Sequence, residues 1–340
     1  MAPSATSTST SPEISSPPIP NDIAQKLSYN DWREDLRLNG YAVVKNAIPL
    51  DRALAYQQKA FDWLKSFGTD LDLNDHRTWV KENLPVQTKI NTFASYCVAH
   101  ERFMWEARME PGVLDAFATI WGTHELLASF DSLNVTFPNR TDVPRKPPWE
   151  HTDQSPLRRG LQCVQGIINL STSGPEDGGL VVYPKSHLYR DEFYDSQTEE
   201  TKSSWTALDR YMFDAKQLEW FAGKGIHPKK VCAEVGDLIL WDSRTIHYGS
   251  EPSPLSSTIR TVIYAAYTPA KLASADALRT KAEIFKEFGG TTHWPHDNIV
   301  RRDCRTFLDD GERDPRDRNQ PLELPEMSSA LLKLAGVENY

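Results

Sequence analysis

Between Leu126 and Tyr267 the chain is cut into short apolar and β-branched runs by turns rich in Gly and Pro, and this constrains the fold more than any other feature. The runs predict strands over residues 130–137, 162–170, 180–183, 231–235, 237–241 and 260–267. Short strands at such close spacing point to a sandwich or jelly roll. The expected helices stand outside this block. One ends at Gly40, one runs from Pro49 to Lys65, and one covers 111–121 with Pro at its start and Gly122 at its end. Others are expected within 190–230, over 273–288 and near 328–334. The expected class is therefore mainly β with flanking helices.

Residues 1–21 are Ser, Thr, Pro and Ala with almost nothing large and apolar, so they cannot offset their ordering entropy and read as a disordered tail. Residues 22–340 read as one domain with a jelly-roll core at about 126–270. The net charge of −9 argues against a nucleic-acid surface, which needs a basic stripe. No apolar run approaches the ~18 residues of a membrane span, and no signal or targeting pattern is visible, so a cytoplasmic protein is expected. Cys97, Cys163, Cys232 and Cys304 are scattered and read as reduced and structural. Oligomeric state is left open, a homodimer included.

Within the strand block lies Trp149-Glu150-His151-Thr152-Asp153-Gln154. In an extended chain alternate side chains share a face, so His151 and Asp153 can ligate one ion. With nine His in the chain, about one such His-x-Asp match is expected by chance. Context adds weight. Gly236-Asp237 opens an apolar run that ends near His247, and Arg260 sits inside an otherwise apolar strand. Two imidazoles and one carboxylate on one face of a metal form the facial triad of non-haem Fe(II) oxygenases. A buried Arg is rarely unpaired, and a dicarboxylate would be a natural bidentate partner.

These pieces, with Gly40-Tyr41-Ala42-Val43-Val44, Leu161-Gln162-Cys163-Val164-Gln165-Gly166 and the run from Gly178 to His187, resemble the phytanoyl-CoA dioxygenase family of Fe(II)/2-oxoglutarate oxygenases. The resemblance is nearest to fungal-type members that act on small metabolites of secondary metabolism. It implies a double-stranded β-helix, a cupin-like jelly roll open at one end. His151, Asp153 and His247 would bind Fe(II), and Arg260 would meet the far carboxylate of 2-oxoglutarate. Asn134 and Asn169 are weaker candidates for cosubstrate contacts. Oxygenation with O2, releasing succinate and CO2, is the implied chemistry. The carboxylate of Asp153 favours it over halogenation, while desaturation and ring formation stay open. The family often carries a hydroxyl two positions after the distal His, where this chain has Gly249 followed by Ser250. His187 reads as structural, and His293 and His296 as packing or pocket rim. Arg140, Arg145 and Lys146 read as a solvated basic loop that could attract an acidic substrate. A zinc hydrolase or a non-catalytic binding module on the same fold stands as the alternative; it would need neither Arg260 nor O2.

Overall fold

The computed structural model describes residues 28–340; the tail expected at 1–21 lies outside the described residues. Fourteen strands are present among them. They are β1 (Tyr41–Val44), β2 (Thr92–Phe93), β3 (Leu126–Ala128), β4 (Leu133–Thr136), β5 (His151–Thr152), β6 (Val164–Asn169) and β7 (Gly179–Val182). Then follow β8 (Tyr211–Met212), β9 (Lys229–Lys230), β10 (Leu238–Asp242), β11 (His247–Ser250), β12 (Arg260–Pro269), β13 (Gly290–Thr291) and β14 (Arg301–Arg302).

The larger sheet runs β1-β10-β6-β12-β4-β2, with β3 also on β12; the smaller runs β8-β5-β11-β7-β9. All pairings are antiparallel. From β4 onward the chain steps between the sheets: β4 in the larger, β5 in the smaller, β6 in the larger, β7 and β9 in the smaller. It then returns to the larger for β10, the smaller for β11 and the larger for β12. That winding is a jelly roll. Between the sheets Ile167, Leu180, Val182, Ile239, Trp241 and Val262 form one apolar cluster. Strands of the larger sheet are buried on both faces, as β6 and β10 show throughout, which is why they read as nearly unbroken apolar runs.

Helices cover the outer face of the larger sheet. They include α1 (Arg33–Asn39), α2 (Leu50–Lys65), α3 (Arg102–Arg108) and α4 (Pro111–Trp121). Pro111 starts α4 where its missing N–H costs nothing, and Gly122 closes it in the left-handed conformation. Gly166 lets α4 approach: a Cβ there would stand 3.0 Å from Phe117 Cζ and 2.9 Å from Ala265 O. The 190–230 excursion is α5 (Ser186–Asp195), α6 (Glu199–Ser203), β8 and α7 (Ala215–Ala222), and α8 (Ala275–Lys286) and α9 (Ser329–Leu334) follow.

Three boundaries differ from the sequence reading. The strand expected at 231–235 is not one: pairing is at β9, followed by a lone bridge between Ser173 and Ala233. The strand expected from Phe130 starts at Leu133, because the Phe130 backbone is taken by Thr291 on β13. The sheet also draws β1 and β2 from outside 126–270.

Candidate metal centre and its cavity

The register of β5 against β11 sets His151 directly opposite His247. Directly opposed residues point to one face of a sheet, so both imidazoles face the cavity between the sheets. Asp153 follows β5 immediately, with its backbone N–H donated to Ser243 O (3.1 Å). The three side chains converge: ligand atoms of His151, Asp153 and His247 all lie within 4.8 Å of one another. Among the described residues they are the one group of three such side chains placed to share an ion.

The hydrogen bonds assign the imidazole tautomers. Nδ1 of His151 faces Trp149 O at 3.0 Å, and Nδ1 of His247 faces Thr245 O at 2.9 Å. A carbonyl only accepts, so Nδ1 carries the proton and Nε2 keeps its lone pair. Those Nε2 atoms stand 3.3 and 3.2 Å from the Asp153 oxygens. Lone pairs set against a carboxylate repel unless a cation lies between them. Two ligand atoms each bound at ~2.1 Å and at right angles would be about 3 Å apart, so the spacing fits a facially bound divalent ion.

Burial, then the neighbouring His247, pushes the His151 imidazole below its ordinary range, which keeps it neutral and ready to ligate. Burial would raise the Asp153 carboxyl, but the positive charge of His293 and His151, when those rings are protonated, overcomes this and holds it well below the usual carboxylate range. Gln165 on β6 donates from Nε2 to Asp153 Oδ2 at 2.9 Å. Trp149 stacks on His151 with centroids 4.0 Å apart and planes at 12°, and Trp241 packs against His247 at 5.5 Å. Each ligand is thus oriented by a second group, as metal sites require.

A cavity of about 350 Å³ contains the triad, Gln165 and Arg260 together. Arg260 opens β12 opposite Thr136 of β4 and is 3% exposed. Its Nη1 donates to Asn134 Oδ1 (3.0 Å), and its Nε makes no hydrogen bond. Burial lowers its pKa from the ordinary value, opposed by the Tyr264 hydroxyl beside it and by the charge of Asp177. A buried guanidinium with an idle donor, in the same cavity as a three-ligand cluster, fits a ligand that carries a carboxylate.

Of the other residues read from the sequence, Asn134 lines the cavity and is tied to Ile90 O (2.8 Å) as well as to Arg260. Asn169 lies outside that cavity: its amide donates to Ile167 O and Asp237 O where β6 ends. His187 is on α5 and bonds Arg37 O (3.1 Å), away from the triad. His296 is buried on Thr268 Oγ1 (3.0 Å), whereas His293 lines the cavity with Nε2 3.4 Å from Asp153 O. Arg140 is engaged by Asp142 and Gln87, and Lys146 faces Glu251 at 3.6 Å on the cavity wall. Sequence reasoning missed Gln165 as a functional group and chose Asn169, the other amide of the mostly apolar β6. It also missed Tyr264 and Thr136, which no local pattern marks.

Residues 36–256 match the phytanoyl-CoA dioxygenase family. A curated relative, Ava biosynthesis cluster protein O of Aspergillus versicolor, is 38% identical over 278 residues, covering 81% of this chain and 89% of its own. A putative phytanoyl-CoA dioxygenase of Dictyostelium discoideum is 22% identical, covering 61% of this chain and 67% of its own. Among solved structures, EctD from S. alaskensis with bound Fe is similar at a TM-score of 0.49 and 18% identity, over 75% of this chain and 84% of its own.

Proposed function

Because the chain belongs to the phytanoyl-CoA dioxygenase family, we propose that it oxidises a small organic metabolite, by hydroxylation, within a biosynthetic pathway of secondary metabolism. Its enzyme class and cofactors are those the sequence resemblance implied: a dioxygenase dependent on Fe(II), 2-oxoglutarate as cosubstrate and O2. The observation that carries the reading is one cavity holding three converging ligand atoms and a buried guanidinium whose Nε has no hydrogen-bond partner.

The bound iron and cosubstrate supply O2 activation, coupled to decarboxylation of 2-oxoglutarate to succinate. The chain supplies the rest. His151, Asp153 and His247 would hold the ion, as a three-residue facial set does, with Fe(II) supplying the redox chemistry when bound. Gln165 fixes the Asp153 carboxylate, and Asn134 fixes Arg260, which seats the far carboxylate of 2-oxoglutarate. Trp149 and Trp241 shield the imidazoles from water. The substrate side is built by Leu208, His293 and Val300, with the Arg302–Asp131 pair (3.4 Å) at its edge. The same reading places the protein in the cytoplasm, where its four free thiols stay reduced.

The test is turnover. The iron-loaded chain, offered a panel of small metabolites, is expected to form succinate in step with O2 uptake and to add oxygen to one of them. A folded, iron-loaded chain that never decarboxylates 2-oxoglutarate would overturn the proposal.

A further inference from the structure

The chain after α8 returns to the cavity, where Thr292, His293, Val300 and Arg302 form part of the wall. This segment rests on one short stretch, residues 95–102. Tyr96 donates its N–H to Cys304 O (2.7 Å) and its hydroxyl to Asp314 Oδ2 (2.6 Å). His100 Nε2 meets Gly289 O at 2.8 Å, and Arg102 donates its N–H to Glu323 O at 2.9 Å. These bonds make a seam along which the rim of the cavity is held to the body of the fold.

Two cysteines meet in that seam. Cys97 is 1% exposed, Cys304 is partly exposed, and their thiols are hydrogen-bonded to each other. Cys97 Sγ also reaches Arg318 O at 3.5 Å. The backbones are fixed side by side as well, because Cys304 O accepts the N–H of the residue just before Cys97. Both thiols are reduced. The hydrogen bond with Cys97 draws the Cys304 thiol below its ordinary range, against burial and the charges of Asp303 and Asp317. The thiolate is the reactive form, so the more exposed sulfur is also the one that ionises more readily. Cys163 differs: it is buried in the core, and burial pushes its thiol up, which leaves it inert.

We propose that Cys97 and Cys304 are an oxidation site, a dithiol that hydrogen peroxide closes to a disulfide and that thereby fastens the rim segment to residues 95–102. The Cys304 thiolate attacks one peroxide oxygen and the O–O bond breaks. After one proton is taken up, the products are a sulfenic acid on Cys304 and water. The Cys97 sulfur then attacks the sulfenic sulfur; the S–S bond forms, the S–O bond breaks and a second water leaves. Two thiols and one peroxide give one disulfide and two waters, the sulfurs being oxidised and the peroxide reduced. A reducing thiol reopens the bond by exchange, so the site is reversible.

The experiment treats the full chain with millimolar hydrogen peroxide, iron-free so that the peroxide meets no Fe(II). It is run in a Cys232→Ser background, so that the exposed thiol takes no part. Free thiols should fall from three to one, and peptide mapping should find Cys97 and Cys304 in one cross-linked species that dithiothreitol separates. Cys97→Ser in the same background should stop at a sulfenic acid on Cys304, trapped by dimedone. The closed form should melt several degrees above the reduced form, because the link restricts the unfolded chain. Retention of all three thiols, or their loss to sulfinic acid with no Cys97–Cys304 link, would overturn the oxidation site. A link that lowers the melting temperature would overturn the fastening role, since the seam would then have to open to form it.

Discussion

The larger sheet has strands of five to ten residues at its centre, β10, β6 and β12, and helices pack on its outer face; the smaller sheet is made of strands of two to four residues. Yet the smaller sheet carries both ligating imidazoles, while the larger carries Arg260, Asn134 and Gln165. The cavity between them thus joins a helix-backed wall that carries the proposed cosubstrate contacts to a lighter wall that carries two of the proposed metal ligands. Short strands bury little surface by themselves. On this view the metal should stiffen the smaller sheet by tying β5 to β11, and substitutions should separate into those that remove chemistry and those that remove stability.

The sharpest separation comes from Asp153→Ala. Removing one of three ligands should lower turnover by about a thousandfold or more and abolish tight iron binding. The fold should persist, because Asp153 is outside the strands and its carboxylate faces the cavity; circular dichroism and iron titration check both. A large loss of structure would break the comparison. On the other wall, Phe117→Ala should cost about 3–5 kcal/mol in chemical denaturation. Phe117 is 0% exposed and packs 4.6 Å from the Tyr267 ring on β12. The surviving folded enzyme should bind 2-oxoglutarate with unchanged affinity.

Gln165→Leu sits where the two walls meet. Loss of its bond to Asp153 should weaken iron binding by about 10–100-fold while leaving the melting temperature nearly unchanged. Direct iron titration decides it, and unchanged affinity would mean that Asp153 is oriented by its backbone alone.

A stability effect of another kind lies far from the site. Lys281 on α8 is 1% exposed, its Nζ bonded to Ala128 O, and burial pushes its ammonium down to about 7. The unfolded chain holds that proton up to about pH 10.4, so between pH 7 and 10 it binds more protons than the folded one. Stability from this group therefore rises with pH across that window, by on the order of 1 kcal/mol per pH unit. Lys281→Met should flatten that rise, with its advantage over wild type greatest at pH 7 and shrinking toward pH 10. Parallel denaturation curves at every pH would contradict it.

The three residues of the candidate metal centre were legible because His151 and Asp153 lie two residues apart on an extended segment, and because His247 follows the apolar run of β10. Arg260 was legible as a charge where only apolar residues belonged. The spacing of the turns pointed to a sandwich or a jelly roll, and the family resemblance to the second; the ends of α4 were legible in Pro111 and Gly122. Convergence across the fold was not. Gln165 reaches Asp153 only because β6 lies beside β10, and His293 only because the chain after α8 returns to the cavity. The strand misread at 231–235 alternates correctly, but its would-be partner is lost where residues 174–178 turn away, leaving one bridge.

The central claim is that one cavity holds iron and 2-oxoglutarate together, and anaerobic titration of the apo-chain with both tests it most directly. The account predicts a weak visible metal-to-ligand charge-transfer band in wild type, no band in His247→Ala, and a band in Arg260→Ala that needs far more 2-oxoglutarate to appear. A folded, iron-loaded wild-type chain that gives no band at saturating 2-oxoglutarate would contradict it.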